Sequence, residues 1–305
     1  MTLFIIKRLI ALVLILFVVV TGTFFIVRFS KGGPFDKDRK LPPQIEKLIL
    51  AKYKLDAPLG TQYVGYMKSL LKGDMGVSYR YLNRSVNEII GQTLPVSMTL
   101  GAVALVIALV LGVSLGSYAA VNQNKLGDVG SMVFALFSIS IPTYVTAPLL
   151  ILLFCLIIPL FPVGGWGRPS QVILPALCLS LPYIASVARL MRTSMLEVLN
   201  QDFVRTARAK GLPEREVIFK HALKVAILPV VSYAGPLAAN ILTGSLVIEE
   251  IFKIPGIGPF FLNSVTNKDY QLVGGVVIVY CMLLVTFNIL VDIAYTFLDR
   301  RIKLS

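Results

Sequence analysis

The sequence predicts an all-α integral membrane protein with six transmembrane helices. The chain has 305 residues, of which 56% are hydrophobic and only 15% are charged, a composition that is not typical of soluble domains. Apolar runs of about 20 residues recur along the whole length, and each is long enough to cross a bilayer as a helix. Most of the charged residues lie between these runs, as membrane topology requires.

Six apolar runs qualify as spans. The first contains an apolar stretch, Leu9–Val27, that is too long for the core of a signal peptide, and we interpret it as a retained span. With edges uncertain by a few residues, the spans cover 9–29, 96–121, 130–161, 172–190, 227–248 and 274–297.

Prolines and glycines predict the shapes of two spans. The third span contains Pro142, Pro148 and Pro159, so it is expected to kink, to tilt or to end before Pro159. Gly112 and Gly116 in the second span lie one turn apart, a spacing that suits close contact with another helix. The alternative is that these glycines face lipid.

The predicted spans divide the chain into three regions. Residues 1–29 form the first helix, 30–94 an external helical loop, and 95–305 a five-helix core with a charged loop at 192–226. The external loop is expected to form a small helical cap on the membrane surface, either packed on the spans or docking a partner. Its two amphipathic faces comprise Ile45, Leu48, Ile49 and Tyr53, and Leu59, Tyr63, Tyr66, Met67 and Leu70.

The net charge of +13 indicates membrane orientation rather than nucleic-acid binding. Among the short segments, basic residues cluster at the N-terminus, in the loops after the second and fourth spans, and in the tail. The segment 30–94 is also basic, but it is too long to count in the positive-inside rule. By the positive-inside rule, both termini and the loop 192–226 are cytoplasmic, and 30–94 is external. The three cysteines, Cys155, Cys178 and Cys281, have no metal-site spacing.

The spans contain almost no ionisable side chains, which argues against several classes of function. An ion-coupled carrier usually needs an embedded acid or base, and an intramembrane metallohydrolase needs clustered ligands, whereas this chain has one histidine. The sequence contains no Gly-Lys dipeptide and therefore no phosphate-binding loop. The pattern is typical of a passage whose energy comes from another chain. A stand-alone channel, a secondary carrier and an intramembrane enzyme remain the alternatives.

Neutral polar residues do recur within the spans. They either form hydrogen bonds between helices or line a wet passage, and the pattern does not separate these two interpretations. The candidates for the translocation path are Ser138, Thr143, Tyr183, Ser232, Asn240 and Thr243.

The most polar segment between two spans is "RTARAKGLPEREVIFKHALK", Arg205–Lys224. Its pattern predicts a helix over Met195–Lys210 that ends at Gly211, and a second helix that starts at Pro213. Ala207 and Gly211 lie one turn apart and would form a smooth patch for a partner. The segment is interpreted as a rigid docking knob, and the alternative is a cationic loop that only sets topology.

A second unusual stretch is "IPGIGP", Ile254–Pro259. Two glycines flank Ile257 and would permit backbone conformations that other residues resist. The stretch is either a lid at the external mouth or a plain external turn. The lid interpretation assigns Pro255, Gly256, Ile257 and Gly258 to this role.

The segment "TARAKG" followed by "LPEREVIFKHALK" resembles the coupling loop of permease subunits of binding-protein-dependent ABC importers. Ala207, Gly211 and Leu223 match the general pattern of that loop. The departures, Arg205, Thr206, His221 and Lys224, resemble the peptide-and-nickel branch. "GSLVIEEIFKIPGIGPFFLNSVTNKDY" and "AKYKLDAPL" agree with that branch, and the likeness extends over nearly the whole chain. It is strongest to B-type permease subunits of oligopeptide importers.

The resemblance implies a type I importer permease of the bacterial inner membrane, with no catalytic or metal residues of its own. It implies these partners: a homologous second permease, two ATPase subunits that bind ATP and Mg, an external peptide-binding protein, a peptide substrate and lipid. Dipeptides and nickel are the alternative substrates, and His221 is expected to have a packing role. The resemblance assigns contact with the ATPase to Arg205, Thr206, Ala207, Arg208, Ala209, Lys210, Gly211, Leu212 and Glu214.

Overall fold

The computed structural model describes residues 2–29, 56–81, 83–242 and 244–298. Within these ranges the regular elements are helices, apart from an isolated bridge between Val77 and Ser85. The all-α prediction is therefore confirmed. The chain divides into two compact units, whose described residues fall within Met1–Val96 and Gly256–Val285, and within Ser97–Pro255 and Thr286–Leu304.

Thirteen α-helices are defined in the described ranges. Two π-helical segments, Leu152–Ile157 and Val217–Ala222, continue the fifth and the eighth of them. In chain order the helices are α1 (Thr2–Phe29), α2 (Leu59–Leu71), α3 (Val86–Val121), α4 (Leu126–Ser140), α5 (Thr143–Ile151), α6 (Pro169–Leu199), α7 (Asp202–Ala209), α8 (Glu214–Glu216), α9 (Leu223–Ala226), α10 (Leu228–Leu242), α11 (Leu246–Ile251), α12 (Ile257–Thr266) and α13 (Tyr270–Leu298).

In the first unit, α2 packs against α1. Tyr66 of α2 and Phe24 of α1 are buried in one apolar cluster, and their ring centroids lie 5.7 Å apart. Of the predicted amphipathic face on α2, only Leu59 points away from the cluster and is exposed. α2 therefore packs on α1 as expected, and a role in docking a partner stays a prediction. The face formed by Ile45, Leu48, Ile49 and Tyr53 lies outside the described residues.

A second cluster of the first unit joins the start of α3 to α12 and α13, through buried residues such as Val86, Ile257 and Val276. Beside it, the buried carboxylate of Asp269 accepts hydrogen bonds from Ser78 Oγ and from the backbone N–H of Tyr79 at 3.1 Å. Asp269 Oδ1 also accepts from Leu272 N at 3.2 Å. The carboxylate therefore ties the loop after α2 to the first turn of α13.

In the second unit, α6 packs against α3, α4, α5 and α10. A Cβ atom added at Gly116 of α3 would lie 2.4 Å from the carbonyl oxygen of Ala188 in α6. At Gly112 it would lie 2.6 Å from Cβ of Val187. The predicted close contact is confirmed, and the lipid-facing alternative is wrong, because neither position has room for a side chain.

Four helices are long and apolar enough to cross a membrane, and the number rises to six when each of two bent helix pairs counts as one span. These figures concern the described residues. α1, α3, α6 and α13 provide the first, second, fourth and sixth predicted spans. α3 begins at Val86 and continues through Pro95, so the helix that provides the second span starts earlier than the sequence predicts.

The third predicted span is broken. α4 meets the following helical stretch, which consists of α5 and the π-helical segment Leu152–Ile157, at an angle of 109°. The break between them lies at Ile141 and Pro142. Pro142 cannot donate a hydrogen bond to α4, whereas Pro148 is accommodated inside α5. The predicted kink is confirmed, and the π-helical segment ends at Ile157, before Pro159.

The fifth predicted span, 227–248, is confirmed at its start, because α10 begins at Leu228, and is wrong at its end. α10 ends at Leu242, Gly244 has a φ of +85°, and α11 follows as a separate helix. Gly244 supplies the left-handed conformation that terminates a helix at no steric cost. At the other end, helical structure already begins at Glu214 and bends by 50° before α10. The bend lies next to Pro229, which has no N–H to donate to the preceding turn.

Candidate functional site

The charged segment does not continue α6 as one helix. α6 ends at Leu199, and α7 begins at Asp202 after an extended Gln201 with a ψ of 154°. The expected helix over Met195–Lys210 is therefore wrong. Asn200 uses its Nδ2 to donate to Leu196 O at 2.9 Å, a side-chain contact that competes with helix continuation. Asp202 suits the positive N-terminus of a new helix.

The end of α7 follows the sequence expectation. Gly211 has a φ of +76°, its N–H donates to Arg208 O at 2.9 Å, and Leu212 N donates to Ala207 O at 3.4 Å. These two bonds form the glycine-dependent helix stop known as the Schellman motif. Pro213 then precedes α8. We call the region Asp202–Glu216 the elbow.

An ion pair closes the elbow. Arg208 donates from Nε to Glu214 Oε2 at 3.1 Å and from Nη2 to Glu214 Oε1 at 2.7 Å. The bidentate carboxylate holds the pKa of Arg208 above its usual range. Since both side chains are about half exposed, the pair contributes at most about 1 kcal/mol to stability. Its larger effect is to fix the angle between α7 and α8.

The sequence did not predict this ion pair, because its partners are six residues apart with the Gly-Leu-Pro break between them. The signal that was present is a long basic side chain in the last turn before the break and an acidic one in the first turn after it.

The two faces of α7 differ. Val204 and Ala207 are buried, and α7 packs against the π-helical segment Val217–Ala222, in which Val217 and Ala222 are also buried. Ala207 is only 5% exposed, so the predicted smooth patch of Ala207 and Gly211 is wrong.

The outward surface of the elbow carries both basic and acidic side chains, with the basic ones more numerous, and it includes the small apolar position Ala209. Most of the residues that the sequence assigned to ATPase contact are exposed, and Leu212 is half-buried. The exposed members are Arg205, Thr206, Arg208, Ala209, Lys210, Gly211 and Glu214. His221 is half-buried and belongs to the π-helical segment Val217–Ala222, which follows the elbow in the sequence.

A second ion pair lies on α6 shortly before the elbow. Arg192 donates from Nε to Asp128 Oδ1 at 2.6 Å and from Nη2 to Asp128 Oδ2 at 2.7 Å. Asn124 N adds a third bond to Asp128 Oδ2 at 3.0 Å. Sequence reasoning treated Arg192 as a topology charge and did not single out Asp128. The pair connects the start of α4 to the part of α6 that leads into the elbow.

Three of the four proposed lid residues, Gly256, Ile257 and Gly258, are buried, and Pro255 is exposed. Ile254 and Ile257 are fully buried, and α12 begins at Ile257, so Gly258 is helical. Gly256 has a φ of −85°, a value that any residue adopts. The left-handed residue of this region is Lys253, with a φ of +51°. The glycine argument for Gly256 and Gly258 is therefore wrong, while the lid role of Pro255–Gly258 stays a prediction.

The candidates for the translocation path remain scattered among several helices of the second unit. Ser138 Oγ donates to Phe134 O at 2.9 Å, within its own helix rather than to a neighbour. Asn240 is exposed, and Thr243 lies outside the described residues. Thr143, Tyr183 and Ser232 are half-buried. Their role in a passage stays a prediction.

The structure combines long apolar helices, and two bent helix pairs that count as spans, with an exposed basic elbow between α6 and α10. These features define the class of protein as a multi-span membrane subunit with a surface suited to a partner. The family described as binding-protein-dependent transport system inner membrane component matches residues 112–304, which include the whole elbow. The chain belongs to this family.

Relatives of similar length are known. The chain is 44% identical to the oligopeptide transport system permease protein OppB of Haemophilus influenzae over 302 residues, which cover 98% of this chain and 99% of that one. It is 46% identical to OppB of Salmonella typhimurium over the same length and coverage. The dipeptide transport system permease protein DppB of Bacillus subtilis is 42% identical over 301 residues, covering 99% and 98%. The predicted family resemblance is confirmed.

Proposed function

We propose that this permease takes up oligopeptides, and that it forms the passage together with a homologous second permease. An external binding protein delivers the peptide, and two separate ATPase subunits drive the transport. Both OppB relatives are named as oligopeptide permeases, and the similarity extends over the full chain. The dipeptide permease of Bacillus subtilis is nearly as similar, so dipeptides are the second candidate substrate.

The observation that carries the proposal is the geometry of the elbow. A Schellman stop, a bidentate ion pair and a packed inner face hold it rigid, while its outer face is exposed. A partner that pushes such an elbow moves it as one body instead of deforming it. The sequence has no phosphate-binding loop, so ATP and Mg belong to that partner.

The elbow is connected to two helices that are able to transmit the movement. Before it, α6 runs for 31 residues and packs against α4, α5 and α10. After it, the segment Val217–Ala226 leads through a 50° bend into α10. Closure of the ATPase pair would thus displace α6 and α10 together, and the bend beside Pro229 provides a place where their relative angle can change.

The distribution of basic residues supports the orientation. With both termini in the cytoplasm, the elbow faces the cytoplasm, where ATP is available, and α2 lies outside, where a binding protein arrives. A tag-accessibility experiment at the C-terminus and in the loop before α2 tests this arrangement. A C-terminus that is labelled from the outside of intact cells contradicts it.

The docking role of the elbow is tested by enlarging Ala209. Because Ala209 is exposed, Ala209→Trp leaves the folded chain intact but blocks close approach of a partner to α7. We expect normal amounts of chain in the membrane, loss of copurifying ATPase subunits and loss of ATP-driven uptake. The matched control is Gln123→Trp, an exposed position in the turn between α3 and α4. Unchanged ATPase binding by the Ala209→Trp variant contradicts the proposal.

The substrate is tested separately on the purified complex with its binding protein. ATP hydrolysis is measured with defined dipeptides, tripeptides, pentapeptides and nickel. We expect the pentapeptides to stimulate hydrolysis most. Stimulation by dipeptides alone, or by nickel alone, would identify a different substrate and would not contradict the ATP-driven mechanism. Flux through the isolated chain without ATPase subunits would instead show a stand-alone channel or carrier.

A further inference from the structure

A polar cleft of about 220 Å³ lies in the first unit, between the end of α1 and α2. Among the described residues that line it, the charged one is Arg28, which belongs to the last turn of α1. The cleft contributes to neither the elbow nor the predicted path residues. We call it the Arg28 cleft, and its other polar lining residues include Gln62, Tyr66, Ser69, Tyr79 and Gln271.

The guanidinium of Arg28 is held in a fixed orientation. Its Cζ lies 3.6 Å above the ring centroid of Phe24 and 5.3 Å from that of Tyr270. Nε donates to Gln62 Oε1 at 3.1 Å, and Nη1 donates to Phe24 O at 3.4 Å. Stacking and these two bonds limit the rotation of the group, so its remaining N–H groups keep their positions.

Both hydrogen bonds that the Arg28 guanidinium donates go to neutral acceptors. A guanidinium has five N–H groups, and two are used in these contacts. Among the described residues, no acidic side chain forms an ion pair with Arg28. A half-buried cation in a protein normally has an anionic partner. The cleft thus holds a positive charge with unused donors, and the described residues supply no negative charge to balance it.

The walls of the cleft are compatible with an anion. Burial raises the pKa of Tyr66 to about 12 and that of Tyr79 to about 12. Both phenols therefore stay protonated at neutral pH and add no negative charge that would repel an anionic ligand. The planar fork of Arg28 matches two oxygens of one oxyanion.

The position of Arg28 indicates where the anion comes from. The apolar window of α1 is Ile10–Phe29, and Arg28 lies at its very end. Ile26 and Phe29, on either side, are 73% and 71% exposed, as lipid-facing residues are. An arginine at the end of a span lies at the level of the headgroups. We propose that the Arg28 cleft binds the phosphate of a phospholipid headgroup.

Such a site would anchor α2 to the membrane surface through a shared lipid. Gln62 of α2 orients the guanidinium, so lipid binding and the docking of α2 on α1 stabilise each other. The competing explanation is that Arg28 only stabilises the C-terminal end of α1, where a cation is favourable. That explanation requires no ligand, and the experiment separates the two.

The test uses the complete purified transporter with native mass spectrometry. The complex is delipidated and then titrated with phosphatidylglycerol or with diacylglycerol, which lacks the phosphate. The wild type is expected to retain phosphatidylglycerol and not diacylglycerol. Arg28→Gln is expected to lower the retention of phosphatidylglycerol about tenfold, the loss of one charge-assisted interaction. Arg84→Gln is the control, an arginine of the same unit that already pairs with Glu88 at 4.0 Å.

A second variant guards against misfolding. Gln62→Glu has nearly the same shape as the wild type and places a carboxylate beside Arg28 Nε, so that the cation is balanced within the chain. The variant loses the hydrogen bond from Gln62 Nε2 to Ala57 O at 2.8 Å but gains an ion pair with Arg28, so it is expected to stay folded and to lose phosphatidylglycerol as Arg28→Gln does. Equal retention by the wild type and both variants overturns the proposal. Displacement of the lipid by inorganic phosphate overturns the lipid assignment and shows a site for free phosphate.

Discussion

Arg192 and Asp128 form a bidentate ion pair, with N–O distances of 2.6 Å and 2.7 Å, between residues that are 64 positions apart. The carboxylate is almost completely buried, and the guanidinium is about one quarter exposed. The pair joins α4 to α6 at a point where α6 is about to enter the elbow. Movement of the elbow along α6 therefore reaches the broken third span through a fixed contact.

Removing Arg192 should be strongly destabilising. Arg192→Gln leaves a buried carboxylate with the backbone N–H of Asn124 as its remaining donor among the described residues, and breaking such a pair typically costs about 3–5 kcal/mol. Because Arg192 is partly exposed, we expect the lower end of this range, measured as a fall in the thermal midpoint of the purified complex. Arg189→Gln, an exposed arginine one turn earlier, is the control. Equal midpoints for the two variants would contradict the prediction.

The glycine contact between α3 and α6 predicts opposite results for two identical substitutions. Gly116→Ala places a methyl group 2.4 Å from Ala188 O and is expected to cost about 1–3 kcal/mol through overpacking. Gly130→Ala in α4 meets nothing within 4 Å and is expected to be neutral or stabilising by up to about 1 kcal/mol. Thermal unfolding of both variants gives the comparison. A Gly116→Ala variant as stable as Gly130→Ala would show that the helices separate easily.

The ion pair of the elbow predicts a functional effect with little change in stability. Arg208→Glu and Glu214→Arg each place like charges across the elbow and are expected to reduce ATP-driven uptake severalfold. The double exchange restores opposite charges and should recover most of the uptake, while all three variants differ from the wild type by about 1 kcal/mol or less in stability. A double variant as inactive as the single ones would mean that these side chains contact the ATPase directly.

Asp269 should be essential for the loop after α2. Asp269→Asn replaces an oxygen acceptor by an N–H₂ donor that faces the donors of Ser78 and Tyr79, and leaving such buried groups unsatisfied costs about 1–3 kcal/mol. We expect faster proteolysis of the loop and a lower thermal midpoint. Asp56→Asn, at an exposed position, is expected to match the wild type. Unchanged proteolysis of the Asp269→Asn variant would argue against a role of Asp269 in holding the loop after α2 to α13.

Alkaline pH should reveal the buried tyrosines of the first unit. The pKa values of Tyr66 and Tyr79 rise from 10.0 to about 12, because burial disfavours the phenolate. The folded protein therefore binds these protons more tightly than the unfolded chain does. The associated stability is fully present below pH 10 and is lost as the pH rises towards 12. Tyrosinate absorbance should show a late-titrating fraction that becomes smaller in a Tyr66→Phe, Tyr79→Phe variant. Titration of the wild type without such a fraction would contradict the burial.

Much of the fold could be predicted because it depends on local patterns. Apolar length predicted six spans, and the described residues contain four, or six when each bent helix pair counts as one. Pro142 predicted the break in the third span, and Gly211 predicted the end of α7. The errors also have local causes. Asn200 and Gln201 interrupt a helix that periodicity alone would continue, and Gly244 ends α10 within an apolar stretch where hydropathy gives no warning.

The sequence predicted where the candidate site lies along the chain, and the structure corrected which of its residues are exposed. The sequence identified the basic segment and its likeness to a coupling loop, but it placed Ala207 on the outside. Burial of Ala207 depends on the packing of α7 against Val217–Ala222, which periodicity within α7 does not specify. Exposure of Ala209 follows from the same packing.

The sequence by itself determined that this protein is a helical membrane subunit with a basic, glycine-terminated elbow and no phosphate-binding loop of its own. These properties depend on composition and on interactions within a few residues, which the chain order contains directly. Only the tertiary structure decided that Asp128 meets Arg192, that Arg208 meets Glu214, and that Arg28 lies in a cleft with no acidic partner among the described residues. Such pairings depend on how helices cross and where the chain turns back, and these features are set by packing between distant residues.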